Sequence, residues 1–331
     1  MNLRRLYESP KSARVLELSK NGKRLLTPTY FPAVSGARLR LPVKQLIQFL
    51  MGKSYPRILV SSYDLLKMGS KDADDIVGEL VKYCGGGSFA FLDSGIFERF
   101  WLEDNAWDFG SYQRIVSRVN LDFYSSLDVL PDPSQPENQF LESTKDRIVL
   151  CRSLSRTSEY VPIVHGVKPE QILSVVKELL NAPSPINKII AVSERDCGAS
   201  LSERARTILR LRELLDDSGD LIALHVLGCG TPLSIALYAY CGADLFDSVD
   251  WARIVIDRNE LRTYDRAYHE LLRCKCAACS KPSHDPIETL LLHNLLFYQD
   301  FVLSIQNMVK RGTLRDFVLE HLGIQFMKKL E

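Results

Sequence analysis

The feature that most constrains this chain is an alternation that recurs eight times. Short apolar, β-branched runs lie at Thr27–Val34, Arg57–Ser62, Ser88–Asp93, Leu121–Asp128, Tyr160–Val167, Lys188–Ser193, Ile222–Gly228 and Asp244–Val249. Between most of them lie segments of helical period, clearest at Pro42–Met51, Ala73–Cys84, Lys168–Asn181 and Leu201–Asp216, with a shorter one at Pro232–Cys241. Strands that alternate with helices pair in parallel through right-handed crossovers. Eight such units over about 225 residues match the size of an α/β fold of the (β/α)8 TIM-barrel kind, with a doubly wound open sheet as the second choice.

Composition excludes several alternatives. The chain has 331 residues, enough to bury a large core without staples. No apolar run approaches the 18 residues of a membrane span, so no membrane partner is expected. The formal net charge of +1 creates no global field toward nucleic acid. Met1–Arg5 leads into charged residues, so a signal peptide is not expected. Of the eight cysteines, Cys84, Cys151, Cys197, Cys229 and Cys241 are scattered and read as reduced thiols of a cytoplasmic protein. Cys84-Gly85-Gly86-Gly87-Ser88 lacks a following Gly-Lys-Ser/Thr and reads as a turn, not a phosphate loop.

The strand ends carry the chemistry. Asp93 closes the third run, before Ser94-Gly95, and Asp128 closes the fourth. His165-Gly166, Ser193-Glu194, Gly228-Cys229-Gly230 and Asp247 follow at the fifth to eighth. In a barrel all these positions face one mouth, where active sites are built. Any single Asp there could merely cap the next helix. Three Asp, a Glu and a His at successive ends point instead to a site.

A second constellation follows the eighth run. Cys274, Cys276 and Cys279 bring three thiols into six residues, a spacing that suits one tetrahedral zinc ion better than three unrelated thiols. The fourth ligand is His284 or His293, the latter in Ile287–Phe297, which reads as a helix after Pro286. Four protein ligands leave no open position, so the ion would be structural. Residues 1–255 are therefore expected to form the catalytic barrel, and 256–331 a zinc-binding subdomain with C-terminal helices closing it.

Several segments together resemble the guanine transglycosylases, which exchange a guanine in nucleic acid for a 7-deazaguanine. Leu59–Leu66 (LVSSYDLL) is similar to the family's Asn-Thr-Tyr-His-Leu turn, and Leu92–Phe97 (LDSGIF) to its Asp-Ser-Gly-Gly-Tyr/Phe loop. Val226–Pro232 (VLGCGTP) and Gly242–Val249 (GADLFDSV) match its Leu-Met-Gly-Val-Gly-Thr-Pro turn and Asp-Met-Phe-Asp-Cys-Val strand. CKCAAC with HNLLFY at His293–Tyr298 resembles its zinc site and favours His293 as the fourth ligand. These matches run in order from about Thr27 to Tyr298.

The resemblance implies a role for each matching residue. Asp247 would be the nucleophile that attacks the anomeric carbon, and Asp93 the general acid/base. Asp128 would read the amino and imino edge of the base, with Phe97 and Leu227 sandwiching it. Ser94, His165, Glu194 and Gly228 would complete the base pocket, His165 standing where many members have Gln. Cys274, Cys276, Cys279 and His293 would hold one structural Zn2+. Two carboxyl groups suit this chemistry, because breaking an N-glycosidic bond passes through an oxocarbenium-like state that one carboxylate can trap while the other manages protons. A base stacked in nucleic acid must be turned out to reach them.

Departures from the family pattern favour one branch. Asp250-Trp251-Ala252-Arg253 replaces Pro-Thr-Arg, Lys188–Val192 replaces Gly-Gly-Leu-Ala-Val, the Cys-to-His spacing is short, and only helical sequence, Asp300–Glu331, follows the zinc region. These features look more like the DNA-modifying branch (DpdA type), with preQ0 as the incoming base and an ATPase partner, than like tRNA enzymes using preQ1, preQ0 or queuine. A non-catalytic zinc-barrel subunit would need neither Asp93 nor Asp247, and a zinc hydrolase would need an open coordination position. Arg258, Arg262 and Arg266 would share one face if their stretch is helical, and with Arg253 could contact phosphates, though Asp257, Glu260 and Asp265 interleave. Trp101 and Trp251 are placed either to stack on nucleotides or to pack in the core.

Overall fold

The eight runs are strands, and they close on themselves. The computed structural model describes residues 1–8, 12–39, 41–132, 134–182 and 187–330. The strands are Thr29–Val34, Arg57–Ser61, Phe89–Asp93, Phe123–Ser125, a fifth in two pieces (Glu159–Val161 and Ile163–Val164), Ile189–Ser193, Ala223–Leu227 and Leu245–Ser248, all parallel. The eighth pairs with the first, Leu245 opposite Thr29 and Asp247 opposite Phe31. The sheet is therefore a (β/α)8 barrel and not an open doubly wound sheet. The fifth strand breaks at Pro162, which has no N–H to give the ladder. Its first piece pairs with the fourth strand and its second with the sixth. Ser126 joins the seam: its N–H donates to the Val161 carbonyl (2.9 Å), and its hydroxyl accepts from the Ile163 N–H (2.8 Å).

Both faces of each strand are buried, so the two-residue side-chain period decides which residues fill the barrel and which meet the helices. Phe31, Ala33, Leu59, Phe89, Phe91, Phe123, Ala191, Ala223 and Leu245 point inward and share one cluster. Tyr30, Val34, Ile58, Val60, Ala90 and Leu92 point outward into the larger cluster under the helices. The same period carried to the strand ends places Ser35, Ser61, Asp93, Leu227 and Asp247 on the inward register at the mouth. The geometry of the candidate site is thus set by the pattern that fills the barrel below it.

Helices match the sequence periods within a few residues: Val43–Gly52, Ser70–Gly85, Pro169–Asn181, Leu201–Asp217 and Pro232–Tyr240. Ser200 opens the fourth of these with a capping box, its hydroxyl accepting from the Glu203 N–H while Glu203 accepts from the Ser200 N–H. The expected strand Leu121–Asp128 is shorter than its apolar run, because Asp122 turns aside to pair with Lys23 and to accept from the Ala90 N–H (3.0 Å).

The three-stranded antiparallel sheet Asn2–Glu8, Arg14–Lys20 and Lys23–Leu26 was not anticipated. Its Leu16, Leu18 and Leu25 plug the end of the barrel away from the mouth and spare those apolar strand residues from water. Arg14 anchors it. The guanidinium, only 2% exposed, holds Asp244 through Nε (3.0 Å) and Nη2 (2.7 Å) and donates to the Ile222 carbonyl (2.7 Å).

After the eighth strand, Ile254–Ile256 and Thr263–Asp265 form an antiparallel hairpin. The condition under which Arg258, Arg262 and Arg266 would share one helical face is therefore not met. β-Branched Ile254, Val255, Ile256 and Thr263 favour strand, and Asp257 closes the turn by accepting from the Asn259 and Glu260 N–H groups. Helix Pro286–Arg311 then runs back along the barrel. Tyr298 stacks on Tyr30 at 3.8 Å, and Gln306 donates to the Leu26 and Pro28 carbonyls. Among the described residues no helix is long and apolar enough to cross a membrane.

Candidate active site and metal centre

A cavity of about 400 Å³ opens at the strand C-terminal ends. It gathers Asp93, Ser94, Phe97, Asp128, His165, Glu194, Leu227, Gly228 and Asp247, which is every residue assigned from sequence to catalysis and base binding. Arg253 also lines it, whereas Arg258, Arg262 and Arg266 do not. Arg258 instead bonds Asp300 at 2.5 Å, and Arg262 lies 3.4 Å from Glu260. Trp251 is fully buried, its indole N–H donating to the Ala33 carbonyl (2.8 Å). Trp101 is 47% exposed at the cavity mouth, with the Arg38 guanidinium 4.6 Å above its ring and Phe97 at 6.0 Å.

Local sequence explains how the acids are presented. Asp93 ends its strand, and its carboxylate accepts from the Gly95 N–H (3.2 Å). Gly95 has φ +77°, and a Cβ there would fall 2.5 Å from that of Tyr63, so only glycine makes this turn. Burial pushes the Asp93 carboxyl well above the usual carboxylate range; Asp128 and Glu98 add to this, against the Gly95 N–H. Asp93 is thereby held as an acid able to give up a proton. Asp247 accepts from His225 Nε2 at 2.9 Å through Oδ1. His225 is fully buried between Phe31 and Phe91, and its Nδ1 has no partner. The Nε2–H is thus the ring's donor to the Asp247 carboxylate.

Asp128 and His165 are directly bonded. His165 Nε2 lies 2.6 Å from Asp128 Oδ2, and Nδ1 lies 2.5 Å from Asp196 Oδ2. Burial pulls the imidazole pKa down, but hydrogen bonds to both carboxylates outweigh it and bring the pKa to about 9. Glu194 stands behind the cavity, accepting from the Tyr238 hydroxyl (2.9 Å) with Arg204 at 3.3 Å.

Four polar side chains at or behind the cavity were not singled out from the sequence. Asp196 sits in the short helical turn Glu194–Cys197. His225 was readable from parity, since Ala223, His225 and Leu227 share one face. Glu98 lines the cavity and is buried, and its carboxyl is pushed up chiefly by burial. Asp64 behind it is pushed up to about 7 by burial and by Glu98. Nothing in the local pattern distinguishes these two acids from helix-start residues.

The metal cluster lies apart from this cavity. Ligand atoms of Cys274, Cys276, Cys279 and His293 all fall within 4.8 Å of one another. His293 Nδ1 faces the thiols, 3.5 Å from Cys276 and 3.3 Å from Cys279, while Nε2 donates to the Ile256 carbonyl at 2.8 Å. That second bond fixes the tautomer a metal-binding imidazole needs. His284 is not in the cluster. His269 comes within 3.5 Å of the Cys279 sulfur as a flanking group. Three thiols and an imidazole at this spacing suit a tetrahedral zinc ion.

Comparison with known proteins agrees with this geometry. The family description "Queuine tRNA-ribosyltransferase" matches residues 9–325. A tRNA-guanine(15) transglycosylase of Methanopyrus kandleri is 24% identical over 290 residues, covering 83% of this chain and 60% of the relative. One from Pyrococcus abyssi is 23% identical over 328 residues, covering 92% of this chain and 53% of the relative. The chain thus spans little more than half the length of these relatives. The chain belongs to the queuine tRNA-ribosyltransferase family, the guanine transglycosylases that the residue matches resemble.

Proposed function

We propose that this chain is a base-exchange guanine transglycosylase, a pentosyltransferase acting through a covalent Asp-linked nucleic-acid intermediate. The observation that carries the proposal is the convergence of Asp93 and Asp247, on the inward register of the third and eighth strands, in one cavity with Asp128. In the first step Asp247 Oδ2 attacks the anomeric carbon. The bond to the base breaks with its electron pair on the base, and Asp93 supplies the proton. His225 holds the other nucleophile oxygen, Oδ1. In the second step Asp93 takes a proton from the incoming base, whose nitrogen attacks the same carbon and frees Asp247. Two displacements retain configuration. Asp128 reads the base edge, Phe97 and Leu227 sandwich the ring, and Ser94, Glu194 and Gly228 complete the wall. Cys274, Cys276, Cys279 and His293 would hold one zinc ion that fastens the hairpin to helix Pro286–Arg311, with no open position for chemistry.

The polynucleotide is proposed to be tRNA. The family description and the relatives are named for tRNA, and that supports tRNA over the DNA substrate, preQ0 base and ATPase partner expected from the sequence departures. Cys84, Cys151, Cys197, Cys229 and Cys241, buried and outside any disulfide, support a reducing, cytoplasmic setting. Incubation with labelled guanine and either tRNA or duplex DNA tests the proposal. Label in tRNA alone is the expected result. Label in DNA alone, with preQ0 competing, would restore the DNA reading, and label in neither would refute base exchange by the chain alone.

A further inference from the structure

Three successive strand ends are joined by one imidazole. His165, from the end of the fifth strand, bonds Asp128 beyond the fourth at 2.6 Å and Asp196 after the sixth at 2.5 Å. We infer that Asp196 is a positioning residue for base recognition: through His165 it fixes the Asp128 carboxylate so that Oδ1 meets the N–H edge of a purine. The inference rests on the base-exchange reading for its ligand and on geometry for its mechanism.

Both ring nitrogens of His165 are occupied, so the ring has no free donor for a base. It acts on the ligand only through Asp128. Asp128 Oδ2 is taken by the ring, while Oδ1 is buried and has no partner. A buried carboxylate oxygen without a donor is costly, and here it belongs to a residue lining the cavity. A base that brings an imino or amino N–H removes that cost. A base presenting a ring-nitrogen lone pair at the same place would set acceptor against acceptor. The arrangement therefore favours a base that turns an N–H edge toward Oδ1, as guanine and its 7-deaza relatives do with both an imino and an amino group.

Charge is matched along the same line. Asp128 and Asp196 flank the ring, and Arg195 Nε lies 3.5 Å from the second oxygen of Asp196. The charged groups facing the ring are Asp128, from the loop after the fourth strand, and Asp196, from the turn after the sixth; Asp93 on the third strand faces Asp128. With the ring protonated, it and Arg195 set two positive groups beside the two acids that flank the ring. The ring holds its proton to about pH 9; above that a single N–H is left for two carboxylates, and the clamp on Asp128 weakens.

Equilibrium dialysis with labelled guanine, from about pH 6.5 to pH 10, tests this on the full chain. Wild type should bind guanine with affinity that falls as pH rises through about 9. Asp196→Asn should weaken binding about tenfold at neutral pH, the worth of one charge-assisted hydrogen bond, and move the fall to lower pH. Asp196→Ser, uncharged but still an acceptor, serves if Asp196→Asn does not fold and should shift the fall in the same direction. Asp196→Glu should keep the wild-type fall. NMR titration of the His165 ring should show the same order of pKa values without any ligand. Wild-type affinity and an unmoved fall in Asp196→Asn would overturn the inference, as would equal weakening in all three variants with no change in pH midpoint. A wild type that binds guanine but transfers none to tRNA or DNA would overturn base exchange alone, and a wild type that binds no guanine would overturn both.

Discussion

Replacing Arg14 with methionine tests whether the N-terminal sheet is locked to the barrel by charge or by apolar packing. Methionine keeps much of the stem volume and removes the guanidinium. Asp244, with no exposure, then loses two hydrogen bonds at 3.0 Å and 2.7 Å and keeps one firm donor, the Leu224 N–H at 2.8 Å. Arg212 stands 3.9 Å away and compensates only in part. Removing one partner of a buried pair typically costs about 3–5 kcal/mol, chiefly because the other charge stays buried. With Arg212 nearby, the lower end, about 3 kcal/mol, is expected. That is a large share of the roughly 5–15 kcal/mol that stabilises a folded domain. Urea unfolding should show a lower midpoint with an unchanged slope. Arg14→Met with Asp244→Asn should recover part of the loss, since no unpaired carboxylate remains. Base exchange below the unfolding transition should persist, because Arg14 lies at the end of the barrel away from the cavity. A loss under about 1 kcal/mol, or a double variant no better than the single one, would refute the reasoning.

Further outcomes follow from the same geometry. His165 should make stability pH-dependent. Its folded pKa of about 9 exceeds the ordinary 6.5, so its contribution is complete below about pH 6.5 and lost as pH rises through 9, on the order of 3 kcal/mol in all. Urea midpoints across that window should fall in wild type, and a parallel fall in His165→Gln would exclude His165 as the source. Asp247→Asn should abolish the covalent adduct with tRNA on denaturing gels while zinc stays near one per chain; a surviving adduct would remove Asp247 as nucleophile. Cys279→Ala should release the metal and lower the thermal midpoint, and metal analysis showing full occupancy would refute the four-ligand site. Trp101→Ala should raise the KM for tRNA by about five- to a hundred-fold, the worth of one stacked base, with guanine affinity unchanged; a change in guanine affinity alone would place the ring inside the base pocket.

The residues that the sequence exposed and those that it hid differ in what fixes their position. Asp93 and Asp247 were legible because strand parity and a shared mouth follow from local pattern: once Phe91 points inward, Asp93 must, and once Leu245 does, so must Asp247. The zinc cysteines were legible because their spacing alone forces proximity. The N-terminal sheet was missed because its strands alternate weakly, with Arg4, Arg5, Arg14 and Lys20 among the apolar residues, and only the open end of the barrel explains why Leu16 and Leu18 are buried. The arginine stretch stayed open in the sequence because charges at a four-residue spacing occur in a hairpin as readily as in a helix, and the β-branched Ile254–Ile256 decided between them. Asp196 was hidden for a deeper reason. In Glu194-Arg195-Asp196 it looks like one charge among three, and neither spacing nor parity relates it to His165, 31 residues earlier. Its position depends on how the turns after two neighbouring strands lean toward each other, which local pattern does not encode. Sequence therefore located the atoms that would make and break bonds, while the groups that would set their orientation and protonation emerged only when separate strand ends were brought together.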